Sequence, residues 1–167
     1  MNPVYQELVE RIRGEMLDLE RVVQRSLRAW SQVQRASGER DAYLDSVALN
    51  LHGFYSGLER LFELIARHVD RTLPAGETWH RDLLQQMTLD LAEVRPAVID
   101  QDSALALDEF RRFRHLVRNV YTMNLTPGKV TGLMLALPEL WPRLRSELLA
   151  FADFLEQLAQ DARSDGA

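Results

Sequence analysis

The stretch "FRRFRHLVRNVYTMNL", Phe110 to Leu125, concentrates the groups of this chain best suited to chemistry. Between Phe110 and Arg118 it carries Arg111, Arg112, Arg114 and Arg118, together with His115, and no acid. The whole chain is acidic, with a formal net charge of −5. Guanidinium groups are permanently charged forks that match phosphate oxygens. They can hold an RNA backbone and stabilise the extra negative charge of a phosphoryl transition state. A nearby histidine or tyrosine can move a proton. A second reading stays open beside this one. The segment is then a solvated basic face whose cations pair with acids on other helices, with Glu59, Glu63, Asp70 and Asp90 as available partners.

At 100° per residue, Phe110, Phe113, Leu116, Val117 and Val120 fall in one arc of about 120°. That arc is the expected core face. Tyr121, Arg114 and Arg118 follow at its edge, Arg111 and His115 further round, and Asn119 near Arg112 at the back. The spacing therefore predicts a helix that presents a strip of cations beside its buried face.

The elements that position this helix are also helical. Tyr5, Leu8, Ile12, Met16, Leu19, Val23, Leu27, Trp30 and Val33 keep three-four spacing, which predicts a helix over residues 3–36. "SGERD" marks a turn. Leu44, Val47, Leu51, Phe54, Leu58, Leu61, Ile65 and Val69 make a second stripe that ends near "LPAG". A short connection makes these two helices antiparallel neighbours. Thr78 is positioned to cap a third helix, "WHRDLLQQMTLDLAEV", ended by Arg95-Pro96. Asp102 or Ser103 is the expected cap of the arginine helix, which runs to about Met123. Thr126 and Pro127 open a short helix, "KVTGLMLAL". Pro138 and Pro142 mark the start or an early kink of the last one. The expectation is an all-α antiparallel bundle with two long helices in front: one domain over residues 1–160 and a flexible tail over 161–167.

Composition limits the function. The chain has 167 residues, 46% of them hydrophobic and 27% charged, in the range of a soluble globular domain. Cysteine is absent, which excludes disulfides, thiolate metal sites and a cysteine nucleophile. His52, His68, His80 and His115 show no metal-ligand spacing, so no metal is expected. No glycine-rich phosphate loop appears, so no nucleotide cofactor is expected. No stretch approaches the ~20 apolar residues of a membrane span, and the start of the chain does not read as a signal peptide. A cytoplasmic protein is the expectation. "TWH", Thr78 to His80, reads as a helix start, and His52 as a core-edge histidine. Gly53 and Gly57, with Ser46 and Asn50, form a small polar stripe near which the arginine helix is expected to pack, leaving a shallow groove.

Two segments carry a family resemblance: "FYSGLERLFELIARHVDRTLPAGETWHRDLLQQM" and "RRFRHLVRNVYTMNL". On these the chain resembles the HEPN superfamily and, within it, the HepT-like toxins of MNT–HepT toxin–antitoxin pairs. The resemblance covers most of the chain. It implies a dimeric helical bundle, a site where two copies of the arginine helix meet, and metal-independent cleavage of an RNA substrate. It also implies restraint by an MNT-type nucleotidyltransferase antitoxin. The family pattern is an arginine, a polar residue, then a histidine and a tyrosine two residues after it. Arg114 matches the arginine, His115 the polar residue and Tyr121 the tyrosine. Asn119 stands where the histidine belongs. The catalytic set implied is therefore Arg114, Asn119 and Tyr121, with Arg111, His115 and Arg118 as RNA contacts and Tyr121 as the acceptor of AMP from the partner. Asparagine cannot act as a general base near neutral pH. Two outcomes follow: a nuclease in which His115 or arginine positioning supplies the rate, or a degenerate helical adaptor that binds RNA or the nucleotidyltransferase.

Overall fold

A computed structural model describes residues 2–35, 38–119 and 127–166, with backbone alone at residues 118, 119 and 127. Five α-helices run in the order α1 (Pro3–Arg35), α2 (Arg40–Ile65), α3 (Trp79–Gln86), α4 (Gln101–Asn119) and α5 (Pro127–Ser164). No strand occurs among the described residues; Leu91 and Arg95 form an isolated bridge. The fold is the expected all-α bundle.

α1 and α2 bury the stripes that their spacing predicts. Ile12, Met16, Leu19 and Val23 face Val47, Leu51, Phe54 and Leu58 in one core. The pair is antiparallel: Glu15 on α1 meets Arg60 on α2, and Leu19, one turn later, meets Gly57, one turn earlier. A Cβ on Gly57 would lie 2.9 Å from Glu15 Oε1 and 2.9 Å from Leu19 Cδ2. Close approach of α1 is thus what Gly57 permits. The arginine helix packs on α2 as expected, through Phe54 and Glu59, but not at the small stripe: Gly57 faces α1, and a Cβ on Gly53 would meet only open space.

α2 ends in one π-helical turn, Ala66–Asp70, closed by Arg71 in the left-handed region at φ 57°. This turn directs Asp70 inward. There Asp70 Oδ1 and Oδ2 accept from Arg95 Nε at 2.5 Å and Nη2 at 2.7 Å. Both side chains are buried, Arg95 at 0% exposure and Asp70 at 2%. The expected third helix is corrected by the same arginine. Arg95 donates to the carbonyls of Gln86, Leu89 and Pro96 at 2.8–3.1 Å. A continuing helix would use the Gln86 and Leu89 carbonyls for its own ladder. The helix therefore stops at Gln86, and the chain to α4 is irregular.

α4 is capped two positions before the first expected candidate, by Asp100. Asp100 Oδ1 accepts from the Ser103 amide at 2.7 Å. Glu147 of α5 accepts from the Asp100 amide and from Ser103 Oγ, both at 2.5 Å, which ties the start of α4 to α5. The last two expected helices are one. α5 continues through Pro138 and Pro142. Each proline removes a ladder hydrogen bond and crowds the preceding turn. Burial of Leu133, Leu137, Leu140, Trp141, Leu144 and Leu148 along one face offsets that cost. Trp141 also packs edge-on against Phe54 and donates to Glu20. Arg13 on α1 bridges Asp153 and Glu156 further along α5. No helix among the described residues is long and apolar enough to cross a membrane.

Two outcomes follow. Asp70→Ala leaves the Arg95 guanidinium buried without its carboxylate and should cost about 3–5 kcal/mol in urea unfolding; a loss under about 1 kcal/mol would mean a solvated pair. The Ser103 amide, above all, holds the Asp100 carboxyl below its ordinary 3.8. A lowered folded value stabilises above the unfolded one, so this contribution is present above about pH 4 and fades as the pH falls further. Asp100→Ala should therefore lower stability by about 1 kcal/mol near neutral pH. Thermal melts should show the gap from wild type closing in acid.

Candidate functional site

α4 turns its predicted arc inward. Phe110 and Phe113 are buried, and Leu116 and Val117 are half-buried. Phe110 packs edge-on against Phe54 of α2, with ring centroids 5.6 Å apart. One turn further along α4, Arg114 enters the space between α2 and α3. Its Nη1 donates to Glu59 Oε1 at 2.8 Å and its Nη2 to Glu59 Oε2 at 3.4 Å. Its guanidinium lies 5.2 Å from the centroid of the Tyr55 ring. The side chains of Arg114 and Glu59 are 10% and 6% exposed. The expected edge-of-core cation is thus buried, and its partner is one of the four acids named from the sequence.

His80, read as part of a helix start, belongs to the same cluster. Its Nδ1 is 2.8 Å from Glu59 Oε2 and 2.9 Å from Arg114 Nη2. The imidazole stacks on Trp79, with centroids 3.6 Å apart. Thr78 contributes to the local start by donating to Asp82 at 2.8 Å. The Tyr55 hydroxyl and Arg114 Nε are buried and find no hydrogen-bond partner among the described residues. Burial, and then the charge of Glu59, push the Tyr55 phenol well above its ordinary value, against a smaller opposing pull from Arg114 and Arg111. Tyr55 is thus a neutral hydroxyl near neutral pH.

The remaining cations are less naked than the sequence implies. Arg111 Nε is 2.7 Å from Asp108 Oδ1, and Arg112 Nε is 2.9 Å from Asp108 Oδ2. Arg112 also approaches Glu109 at 3.8 Å. These acids lie one turn upstream, outside the run that looked uncompensated, and close i,i+3 and i,i+4 pairs along α4. Arg111 keeps a second face. With His80, Arg81, His115, Trp79 and Glu77 it lines an open groove of about 530 Å³ between the start of α3 and α4. Asp70, offered as a partner for the arginine helix, serves Arg95 instead.

The structure thus joins Arg111, Arg114 and His115 into one region. The side chains of Arg118 and Asn119, and all of Tyr121, lie outside the described residues. Among the described residues no group of three or more histidines and carboxylates could hold a metal ion. Sequence reasoning missed Tyr55 and the role of His80. A signal existed. Tyr55, Phe62 and Ala66 form a second apolar stripe on α2, and Glu59 interrupts it. A carboxylate at such a position must find a buried cation.

Arg114→Ala strands Glu59 in the core. It should cost about 3–5 kcal/mol in urea unfolding, well beyond the 0–1 kcal/mol or so of a surface pair. Replacing both partners, Glu59→Gln with Arg114→Met, should recover part of the loss.

A family model described as HepT-like protein matches residues 46–155, from the first turns of α2 to the last turns of α5. No curated protein and no solved structure matches the chain.

Proposed function

Because the chain belongs to the HepT-like protein family, we propose that it is the toxin of a toxin–antitoxin pair. It acts as a homodimeric, metal-independent endoribonuclease and is restrained by a nucleotidyltransferase antitoxin. The observation that carries this reading is the groove beside α4. There an acidic chain gathers Arg111, Arg81, His80 and His115 around one opening large enough for a nucleotide. Arg111 and His115 contact the RNA backbone at its rim. Arg114, held by Glu59 at 2.8 Å behind the groove, fixes the position of α4 and so of Arg111 and His115. Arg118, Asn119 and Tyr121 extend the same segment. Asn119 hydrogen-bonds ribose or phosphate, and Tyr121 accepts AMP from the antitoxin, which blocks the strip with bulk and negative charge.

A second reading has an observation of its own. Arg114 is neutralised by a buried carboxylate, and Asn119 occupies the position of the family's histidine. Both fit a helical adaptor that binds RNA or the nucleotidyltransferase without cutting.

Cleavage of a fluorescent single-stranded RNA in EDTA separates the two. Wild type should cut, and Arg111→Ala, which leaves the buried pair intact, should cut about 100-fold more slowly. An inert wild type combined with cleavage by Asn119→His would give the adaptor reading precedence.

A further inference from the structure

The proposed nuclease needs a base, and Asn119 cannot be one. We propose that His80, on α3 and outside the arginine segment, is the general base of the reaction; this assignment rests on the RNA-cleaving reading above. The geometry of the Glu59 cluster carries it. Glu59 is fixed, because Arg114 Nη1 binds its Oε1 at 2.8 Å. Its other oxygen lies 2.8 Å from His80 Nδ1. A lone pair on that nitrogen would face a full carboxylate at contact distance, and on that ground the proton is assigned to Nδ1, which donates it to Glu59. Arg114 Nη2 lies 2.9 Å from the same nitrogen and 3.4 Å from Glu59 Oε2, and with Nδ1 protonated the carboxylate oxygen is its acceptor. In the neutral ring this leaves the basic lone pair on Nε2. Trp79 fixes the plane of the ring by stacking. The His80 side chain is 25% exposed and lines the groove with Arg111 and His115. A carboxylate-backed imidazole at the rim of a cationic groove combines the parts that general-base catalysis requires.

The step balances as follows. Nε2 takes the proton of a ribose 2′-hydroxyl, and the freed electron pair of the 2′-oxygen forms a bond to the adjacent phosphorus. The bond from phosphorus to the 5′-oxygen breaks with its pair on oxygen. That oxygen takes a proton from water, which the open groove admits. The hydroxide left behind removes the proton from the imidazolium, and the neutral ring returns. Arg111 stands on the same groove to meet the charge that builds on the phosphate.

The test compares full-length wild type and His80→Ala on a labelled single-stranded RNA in EDTA, with and without added imidazole. Circular dichroism checks the fold, and anisotropy checks binding of the 2′-deoxy oligonucleotide. The expected result is a loss of cleavage of about 10²–10⁴-fold, partial rescue by imidazole and unchanged binding of the deoxy strand. His80→Gln, whose amide can donate to Glu59 but has no basic nitrogen, should lose cleavage equally and serves if the alanine variant does not fold. Cleavage by either folded variant at the wild-type rate overturns the assignment and leaves the nuclease reading standing. A loss in folded His80→Ala that imidazole does not rescue, or a loss of deoxy-strand binding in either variant, also overturns it. A wild type that cuts nothing takes down the nuclease reading, and this assignment with it.

Discussion

A buried charge must be met by an opposite charge where it lies, and the middle of this bundle is organised around two such pairs. Arg95 with Asp70 and Arg114 with Glu59 are both nearly excluded from solvent. Desolvating these groups is costly, and only good geometry with further hydrogen bonds offsets the cost. Arg95 meets that condition with two contacts to Asp70 and three to backbone carbonyls. The segment between α2 and α4 adds few apolar groups to the core, chiefly Leu83, Leu84, Met87, Val98 and Ile99. Its position depends strongly on the two arginines. The first holds the irregular chain after α3 to the end of α2. The second holds α4 to α2, with the start of α3 packed beside both.

This arrangement shapes what the site can do. An arginine shared with a buried carboxylate is not a free phosphate clamp. It becomes part of the frame that holds α4 against α2. The same carboxylate gives His80 a fixed partner and orients its ring. Structural and chemical demands thus converge on Glu59, which joins a helix of the core to both sides of the groove. Tyr55 lies beneath Arg114 as a buried aromatic face, kept neutral by its surroundings. The family match spans α2 to α5 and so takes in the helices that frame the groove. The chemistry proposed for the groove depends on the particular side chains brought to it.

Much of this was readable from local pattern. Three-four spacing predicts α1 over residues 3–36, and the helix spans Pro3–Arg35. The arc of Phe110 and Phe113 is buried as the wheel requires, and Pro127 opens α5. These features depend on periodicity and on backbone preferences within a few residues. Where distant groups compete, local pattern fails. "WHRDLLQQMTLDLAEV" has a helical pattern to Val94, yet Arg95 takes its carbonyls and stops it at Gln86. Asp102 and Ser103 are reasonable caps, yet Glu147 of a later helix draws Ser103 Oγ away and Asp100 caps instead. Pro138 and Pro142 signal a break, yet the core face on either side holds α5 continuous.

By itself, then, the sequence determined an all-α bundle, the buried faces of its long helices and the concentration of cations on α4. Hydrophobic spacing repeats along a helix and needs no knowledge of its neighbours. Only the tertiary structure decided which acid meets which base. It put Glu59, His80 and Arg114 within 3 Å or so of one another from three separate helices, and it gave Asp70 to Arg95. A charge carries no record of its partner in the chain. The pairing is chosen by the space that packing leaves and by the solvent that packing removes.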